Sequence, residues 1–194
     1  SILNISGSWK GDEVDARLEE NAFLFQNYII GTPDDRLSPM TIGAAGVKVY
    51  QNLKNAQIVN ASLVFNITPL PWLRWDNRVS YSYGKESTGA RLPQIAPLTY
   101  TTALKVLLQN WEGELGGELV SRQDHYSSKY GETPTPGYAV WHISAGYQFP
   151  IGSVLTNIHV GVDNLFDRYY STYSDWNHIP QKGRNIYINV SFQI

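Results

Sequence analysis

A regular alternation of apolar and polar residues recurs along the chain and favours a two-faced β-sheet. Successive side chains of a strand point to opposite faces of its sheet, so this period of two separates the residues into two sets. In residues 73–84 one set is Leu73, Trp75, Asn77, Val79, Tyr81 and Tyr83, and the other is Arg74, Asp76, Arg78, Ser80, Ser82 and Gly84. One face of this strand is therefore mainly apolar and the other is polar and charged.

Similar alternation, interrupted by Gly and Pro, predicts about nine strands. They are expected at 2–10, 16–30, 47–67, 73–84, 98–109, 114–126, 138–149, 155–166 and 185–194. Short turns at 11–15, 69–72, 110–113 and 150–154 alternate with long connections at 31–46, 85–97, 127–137 and 167–184. Short turns at one end and long loops at the other are typical of an outer-membrane barrel, whose long loops lie outside. Residues 23–25 break the alternation, so the sequence does not show which face of the sheet the side chains of this strand occupy.

The composition agrees with an all-β protein and excludes several functions. The 194 residues include 13 Tyr, 6 Trp, 16 Gly and 10 Pro, with one Met and no Cys. Aromatic side chains suit strands, whereas Gly and Pro suit turns. The lack of cysteine excludes disulfides and thiolate catalysis. A formal charge of -2 without any basic run makes nucleic acid a poor partner.

The length of several strands favours a membrane barrel over a soluble β-sandwich, which remains the structural alternative. A barrel strand needs roughly 9–11 residues to cross a bilayer, and several segments reach that length. Aromatic residues near the strand ends would form the interfacial girdles, namely Trp9, Trp72, Trp75, Tyr81, Tyr83, Trp141, Tyr147 and Phe149. No signal peptide begins the sequence, so we expect the chain to be part of a longer protein.

Several motifs carry a resemblance to a known family. The motif N-L-F-D-x-x-Y and the later P-x-x-G-R are both present, as Asn164, Leu165, Phe166, Asp167 and Tyr170, and as Pro180, Gly183 and Arg184. Residues 49–63 and 92–97 match further motifs, although the usual Gly-x-Glu is replaced at 59–61. In these features the chain resembles the TonB-dependent outer-membrane receptors.

The resemblance implies an antiparallel up-and-down transmembrane β-barrel, of which residues 1–194 would be the C-terminal portion. They would form about the last nine strands of a barrel of about 22, with the plug and the first strands absent from the chain. The family's partners would be TonB through the plug, outer-membrane lipid and lipopolysaccharide, and the barrel assembly machinery. That machinery reads the chain end, here Phe192 and Ile194, in place of the usual terminal aromatic residue.

The resemblance also implies a function without catalysis or cofactor. Such receptors lie in the bacterial outer membrane and import a scarce nutrient, such as a ferric siderophore, another metal complex or cobalamin. Candidate ligand contacts on the outer loops are Arg91, His125, Tyr126, Tyr130, Tyr173, Asp175, Trp176 and His178. Arg122, Lys129 and Arg168 are further loop cations that would attract an anionic metal chelate or form an ordinary solvated surface.

Polar side chains on the other face of the strands are expected to contact the plug or line a water-filled path. They are Arg74, Asp76, Arg78, Lys105, His142 and His159. His142 and His159 lie on neighbouring predicted strands, where they would bind a metal, act as a base or form ordinary hydrogen bonds.

A smaller complete barrel is the alternative function, as a passive pore or a surface hydrolase. Outer-membrane hydrolases carry triads at strand ends, and the residues available for one are Ser121, Asp124, His125, His159 and Asp163. No G-x-S-x-G or equivalent motif supports such a triad.

Overall fold

A computed structural model describes residues 1–44, 46–175 and 177–193. They form one antiparallel sheet of nine strands in sequence order, which confirms the predicted all-β, up-and-down fold. The strands are β1 (Ile2–Lys10), β2 (Val14–Pro33), β3 (Lys48–Leu70), β4 (Leu73–Glu86), β5 (Thr99–Leu108), β6 (Trp111–Val120), β7 (Tyr138–Ile151), β8 (Val154–Asp163) and β9 (Asn185–Gln193). Within the described ranges no helix is long and apolar enough to cross a membrane.

Four strands, β2, β3, β6 and β8, differ from the predicted bounds by three residues or more at one end or both. β2 and β3 extend further than predicted. They stay paired from Val14 opposite Ile67 to Pro33 opposite Lys48. β6 begins at Trp111, which pairs with Leu108 and Tyr147, instead of at residue 114. It ends at Val120, since residues 121–126 leave the sheet and join the following loop. The long loops therefore occupy 34–47, 87–98, 121–137 and 164–184, all at one end of the sheet, which we call the loop end.

The strand register brings most apolar side chains of β2 to β9 to one face. One row across the sheet joins Val14, Ile67, Trp75, Leu104, Leu115, Ile143, Val162 and Ile186. We call this side the apolar face and the opposite side, which carries Arg74 and Lys105, the polar face. A slip of one residue would exchange the two faces, so burial of the apolar face in lipid would fix the register.

Glu20 is an exception on the apolar face. It pairs with Ile5 and Ala61, and its neighbours two residues away in the strand are Leu18 and Ala22. The side chain is exposed and forms none of the ion pairs found among the described residues. Glu19, on the polar face, instead pairs with Arg17.

Several strand glycines make room for a large side chain on the neighbouring strand. A Cβ atom at Gly116 would collide with the His142 ring, and one at Gly161 would collide with Tyr187. On the apolar face Gly117 leaves room for Trp141 in the same way. These positions explain why glycine interrupts strands whose other residues favour extended backbone.

The facing of β2 changes at Asn27, which has a left-handed backbone with φ 57°. The rings of Phe25 and Tyr28 lie 5.3 Å apart on the same side, although an odd separation along a regular strand gives opposite sides. Beyond Asn27 the side chain of Ile30 is buried and that of Ile29 is 69% exposed. Before Asn27 the register gives Leu24 the same facing as Val14. It places Phe23 and Phe25 on the polar face, which resolves the facing that the sequence left open there.

A small apolar core lies at the loop end. Its buried members come from β2, β3 and two long loops, and they are Ile30, Leu53, Ala56, Leu92 and Tyr130. Phe25, Tyr28, Ile58 and Ile95 pack against them. The loops of this end are therefore folded onto the strands, and we call this group the loop core.

Candidate functional site

Hydrogen bonds join the 87–98 loop to the 121–137 loop. The Ser127 hydroxyl donates to the carbonyl of Arg91 at 2.6 Å. The Glu132 carboxylate accepts from the backbone N–H of Ser127 at 2.7 Å and from that of Gln94. A single carboxylate thus ties both loops together, and the two loops form one ordered surface.

An ion pair and a buried tyrosine anchor this surface to β4. The Lys129 ammonium pairs with the buried carboxylate of Glu86, and it lies 5.1 Å from the centre of the Tyr130 ring. The hydrogen bond to Glu86 raises the pKa of Lys129 above its usual value. Tyr130 is 0% exposed, because its ring fills the loop core. Tyr130, predicted as a ligand contact, therefore has no accessible side-chain surface in this structure.

The family motif after β8 closes the base of the 164–184 loop. Asn164 is buried and has a left-handed backbone with φ 48°. Its side-chain nitrogen donates to the carbonyls of Arg168 at 2.9 Å and Lys182 at 3.1 Å. Its side-chain oxygen accepts from the N–H of Arg168 at 2.7 Å. One buried amide thus holds the two ends of the loop together.

The remaining motif residues reinforce the same closure. Asp167 accepts from the backbone N–H of Arg184 at 2.8 Å, and the Arg184 guanidinium donates to the carbonyl of Leu165 at 3.0 Å. A Cβ at Gly183 would lie 2.8 Å from the Asp167 carboxylate, which explains the glycine there. Tyr170 packs against Tyr138 with ring centres 4.4 Å apart and the ring planes tilted by 39°. The contacts of Asn164, Asp167, Gly183 and Arg184 position the loop.

The other predicted loop contacts fall into two groups. Asp175 and His178 bind protein groups, because Asp175 accepts from the N–H of Ile179 at 2.7 Å and His178 bonds the Thr133 hydroxyl at 2.6 Å. His125 is exposed, whereas Tyr126 and Tyr173 are half-buried. Trp176, predicted as a ligand contact, and Ile194, predicted as part of the assembly signal, lie outside the described residues. Phe192 is exposed on the apolar face, opposite Thr156.

Arg91 was predicted as a ligand contact on the outer loops. Its side chain instead lies on the apolar side of β4. Its guanidinium carbon is 5.6 Å from the centre of the Tyr83 ring. The next residue, Leu92, turns the other way into the loop core. Because adjacent residues of an extended segment face opposite sides, burial of Leu92 directs Arg91 outward. The sequence could not indicate this facing, since no alternation continues through residues 87–98.

A charged network crosses β4 to β7 on the polar face. Asp76 pairs with Arg74 at 2.6 Å and with Lys105 at 3.1 Å. Lys105 also lies 3.7 Å from Glu114, whose other oxygen is 2.8 Å from Nε2 of His142. The structure thus brings together four residues that the sequence assigned to this face. It adds Glu114, the first residue of the predicted strand at 114–126, whose alternation with Leu115 is the signal that identifies its facing.

His142 and His159 do not form a common site. His159 pairs with Gly146, four residues along β7 from His142, which corresponds to about 13 Å. Its ring packs near Tyr187, with ring centres 6.1 Å apart. The described residues contain no group of three or more metal-ligating side chains. Asp124 pairs with Arg122 at 2.9 Å, and no hydrogen bond within the described ranges joins the five residues considered for a triad.

A groove of about 450 Å³ lies between the charged network and the 164–184 loop. Its walls include the predicted polar-face residues Asp76, Arg78 and His142, together with Glu118 and Tyr170. The Tyr138 hydroxyl donates to Glu118 at 2.9 Å at the same edge. Polar and charged groups thus continue from the strands to the underside of the last loop.

One apolar face, one polar face and ordered loops at one end define a piece of the wall of a membrane β-barrel. A family model described as "TonB dependent receptor-like, beta-barrel" matches residues 21–165. The match covers more than half of the chain, so the chain belongs to the TonB-dependent receptor family. The members of this family are receptors and transporters, and the family that the motifs indicated is confirmed.

Solved structures share the fold. The chain resembles the copper transporter OprC with a TM-score of 0.87 and 19% identity, over 100% of this chain and 31% of OprC. It resembles the FrpB iron transporter from Neisseria meningitidis (F3-3 variant) with a TM-score of 0.72 and 17% identity, over 97% and 30%. It resembles the siderophore receptor PirA from Acinetobacter baumannii with a TM-score of 0.69 and 16% identity, over 97% and 31%. The chain therefore spans less than a third of these structures, and no curated protein matches it.

Proposed function

We propose that the chain belongs to an outer-membrane receptor that binds a scarce nutrient and imports it into the periplasm with energy supplied through TonB. The nutrient would be a ferric siderophore, another metal complex or cobalamin. The family match supports this role, and the similar folds include proteins named as copper, iron and siderophore transporters or receptors. The observation that carries the proposal is the continuous polar face, which leads from the charged network to the groove under the 164–184 loop.

Residues 1–194 would be the C-terminal portion of the barrel, and the rest of the protein would supply the plug and the first strands. In the described sheet β1 and β9 each have a neighbour on one side. A free strand edge exposes unpaired backbone groups, which cost several kcal/mol each in hydrocarbon. The other strands of the receptor would pair with these edges and close the barrel. Arg74, Lys105 and His142 would then contact the plug.

The nutrient would be captured by the exposed parts of the loops, including His125 and the half-buried Tyr126 and Tyr173. Aromatic rings and polar tips together provide contact area and hydrogen bonds, as ligand sites require. The bonds of Asp175 and His178 would hold the loop in a fixed shape for that contact. Tyr130 and Arg91 are not included in this set, because one is buried and the other lies on the apolar side.

Uptake by cells that make the full-length receptor tests this function. Radiolabelled ferric siderophores, copper and cobalamin would be supplied separately, in strains with and without TonB. We expect accumulation of one of them to require both the receptor and TonB. Uptake that persists without TonB would instead indicate a passive pore.

A matched pair of deletions tests the assignment of the last loop. Deletion of residues 173–177 should weaken ligand capture while the receptor still assembles. Deletion of residues 38–42, of equal length in the 34–47 loop, is the control. Unchanged uptake after the first deletion would remove the last loop from the binding site.

A further inference from the structure

Two cations face each other at the loop end of β4. Lys85 and Arg91 form an isolated antiparallel bridge, so their side chains leave the backbone directly opposite each other. The Lys85 ammonium lies 5.9 Å and the Arg91 guanidinium 5.6 Å from the centre of the same Tyr83 ring. We call these two residues the cation pair. Both are half-buried rather than extended into solvent.

No carboxylate of the described chain neutralises the cation pair. Glu86 follows Lys85, but it faces the opposite side and pairs with Lys129. Asp124 lines the same cavity as Arg91, but it pairs with Arg122. Like charges directly opposite each other in a β-bridge are destabilising. An anion placed between the two cations would remove this repulsion.

The position of the pair indicates where that anion lies. Tyr81 and Tyr83 are on the apolar face of β4, towards its loop end, where tyrosines of a barrel mark the membrane interface. Lys85 lies two residues further along the same face, which places the cation pair at the level of the lipid headgroups. Arginine binds phosphate through two parallel hydrogen bonds, and lysine adds a point charge.

We propose that Lys85 and Arg91, arranged around the Tyr83 ring, form a binding site for the phosphate of an anionic lipid headgroup in the leaflet at the loop end. The site lies on the lipid side of the wall, so it differs from the site of nutrient capture. It depends on the apolar face lying against lipid and not on which nutrient is imported.

Native mass spectrometry of the full-length receptor in detergent tests the site. The probe is diphosphoryl lipid A, and the comparison probe is lipid A from which both phosphates have been removed. We expect adducts of the first and few of the second. The double variant Lys85→Gln/Arg91→Gln should reduce lipid A binding by about tenfold, because it removes both charged donors. Lys85→Arg/Arg91→Lys should keep most of the binding.

A control with the same charge change separates a local site from general attraction. Lys54→Gln/Lys182→Gln removes two exposed cations elsewhere in the chain and should leave binding unchanged. An equal loss in this control would overturn the proposal, as would equal binding of both lipid probes. Displacement of lipid A by inorganic phosphate alone would show a free-anion site and would also overturn the lipid assignment. Folding of each variant is checked by its heat-dependent mobility on gels.

Discussion

The strand wall and the loop core are stabilised in different ways. In the wall, large apolar side chains such as Leu18, Trp75 and Leu104 are exposed on the apolar face, and the strands are joined by backbone pairing. In the loop core, Leu92 and Tyr130 are buried among protein atoms. The wall needs lipid as its apolar surroundings, whereas the loop core provides its own. Mutations should therefore affect assembly in one region and local order in the other.

Trp75→Asp should have the largest effect on assembly of the barrel, because it replaces an apolar ring with a charge on the apolar face. A lysine or arginine facing lipid costs up to about 2–4 kcal/mol at the bilayer midplane and a carboxylate costs less. This variant also loses the apolar ring and the Trp75 hydrogen bond to Thr102. Arg74→Ala, on the polar face, removes an exposed ion pair and should cost at most about 1 kcal/mol. The yield of folded full-length receptor measures both. Equal tolerance at the two positions would contradict the membrane assignment of the apolar face.

Tyr130→Ala should disrupt the loop core without affecting the wall. Removing a buried aromatic ring costs about 3–5 kcal/mol in a packed core. We expect faster proteolysis within the 87–98 and 121–137 loops, with an unchanged yield of assembled barrel. Tyr173→Ala, which truncates a half-buried tyrosine, is the control and should leave the proteolysis rate as it is. Loss of barrel assembly in Tyr130→Ala would show that the two regions are not separable.

Asn164→Ala should open the base of the 164–184 loop, at the junction of the two regions. The side chain makes three hydrogen bonds and is buried, so the loss should cost about 2 kcal/mol of local stability. Hydrogen exchange of the loop amides in the full-length receptor is the measurement. Asn177→Ala removes an amide with no such bonds among the described residues. If both variants exchange alike, the motif does not close the loop.

Glu20→Gln should have the smallest effect and the opposite sign. Glu20 is charged on a face that otherwise suits lipid, so neutralising it should stabilise the receptor by about 1 kcal/mol. Glu19→Gln, on the polar face, breaks the pair with Arg17 and should be neutral or slightly destabilising. Urea unfolding in detergent micelles compares the two variants. Destabilisation by Glu20→Gln would show that the carboxylate has a partner in the rest of the receptor.

The sequence predicts the wall better than the loops for a physical reason. Period-two alternation reports facing wherever the backbone is a regular strand, so Arg74, Asp76, Lys105 and His142 were assigned to the correct face. Glu114 begins the predicted strand at 114–126, but it was missed because the sequence does not give the register that sets it opposite Lys105. The burial of Tyr130 and the outward facing of Arg91 depend on contacts between loops that are distant in sequence. No local pattern records such contacts, and the motif around Asn164 and Asp167 indicated the family but not the closed loop base that these residues form.

The left-handed residue Asn27 has a consequence for how such a chain can vary. Before Asn27, the even-numbered residues Leu18 and Leu24 of β2 are exposed on the apolar face. Beyond Asn27, the even-numbered residue Ile30 is buried against protein atoms in the loop core. Side chains of the same parity in β2 thus have different surroundings before and after Asn27. We expect that the portion beyond Asn27 tolerates exchange for another sequence, provided that the change of facing at Asn27 is kept. Receptors with one wall design could in this way display many different outer surfaces.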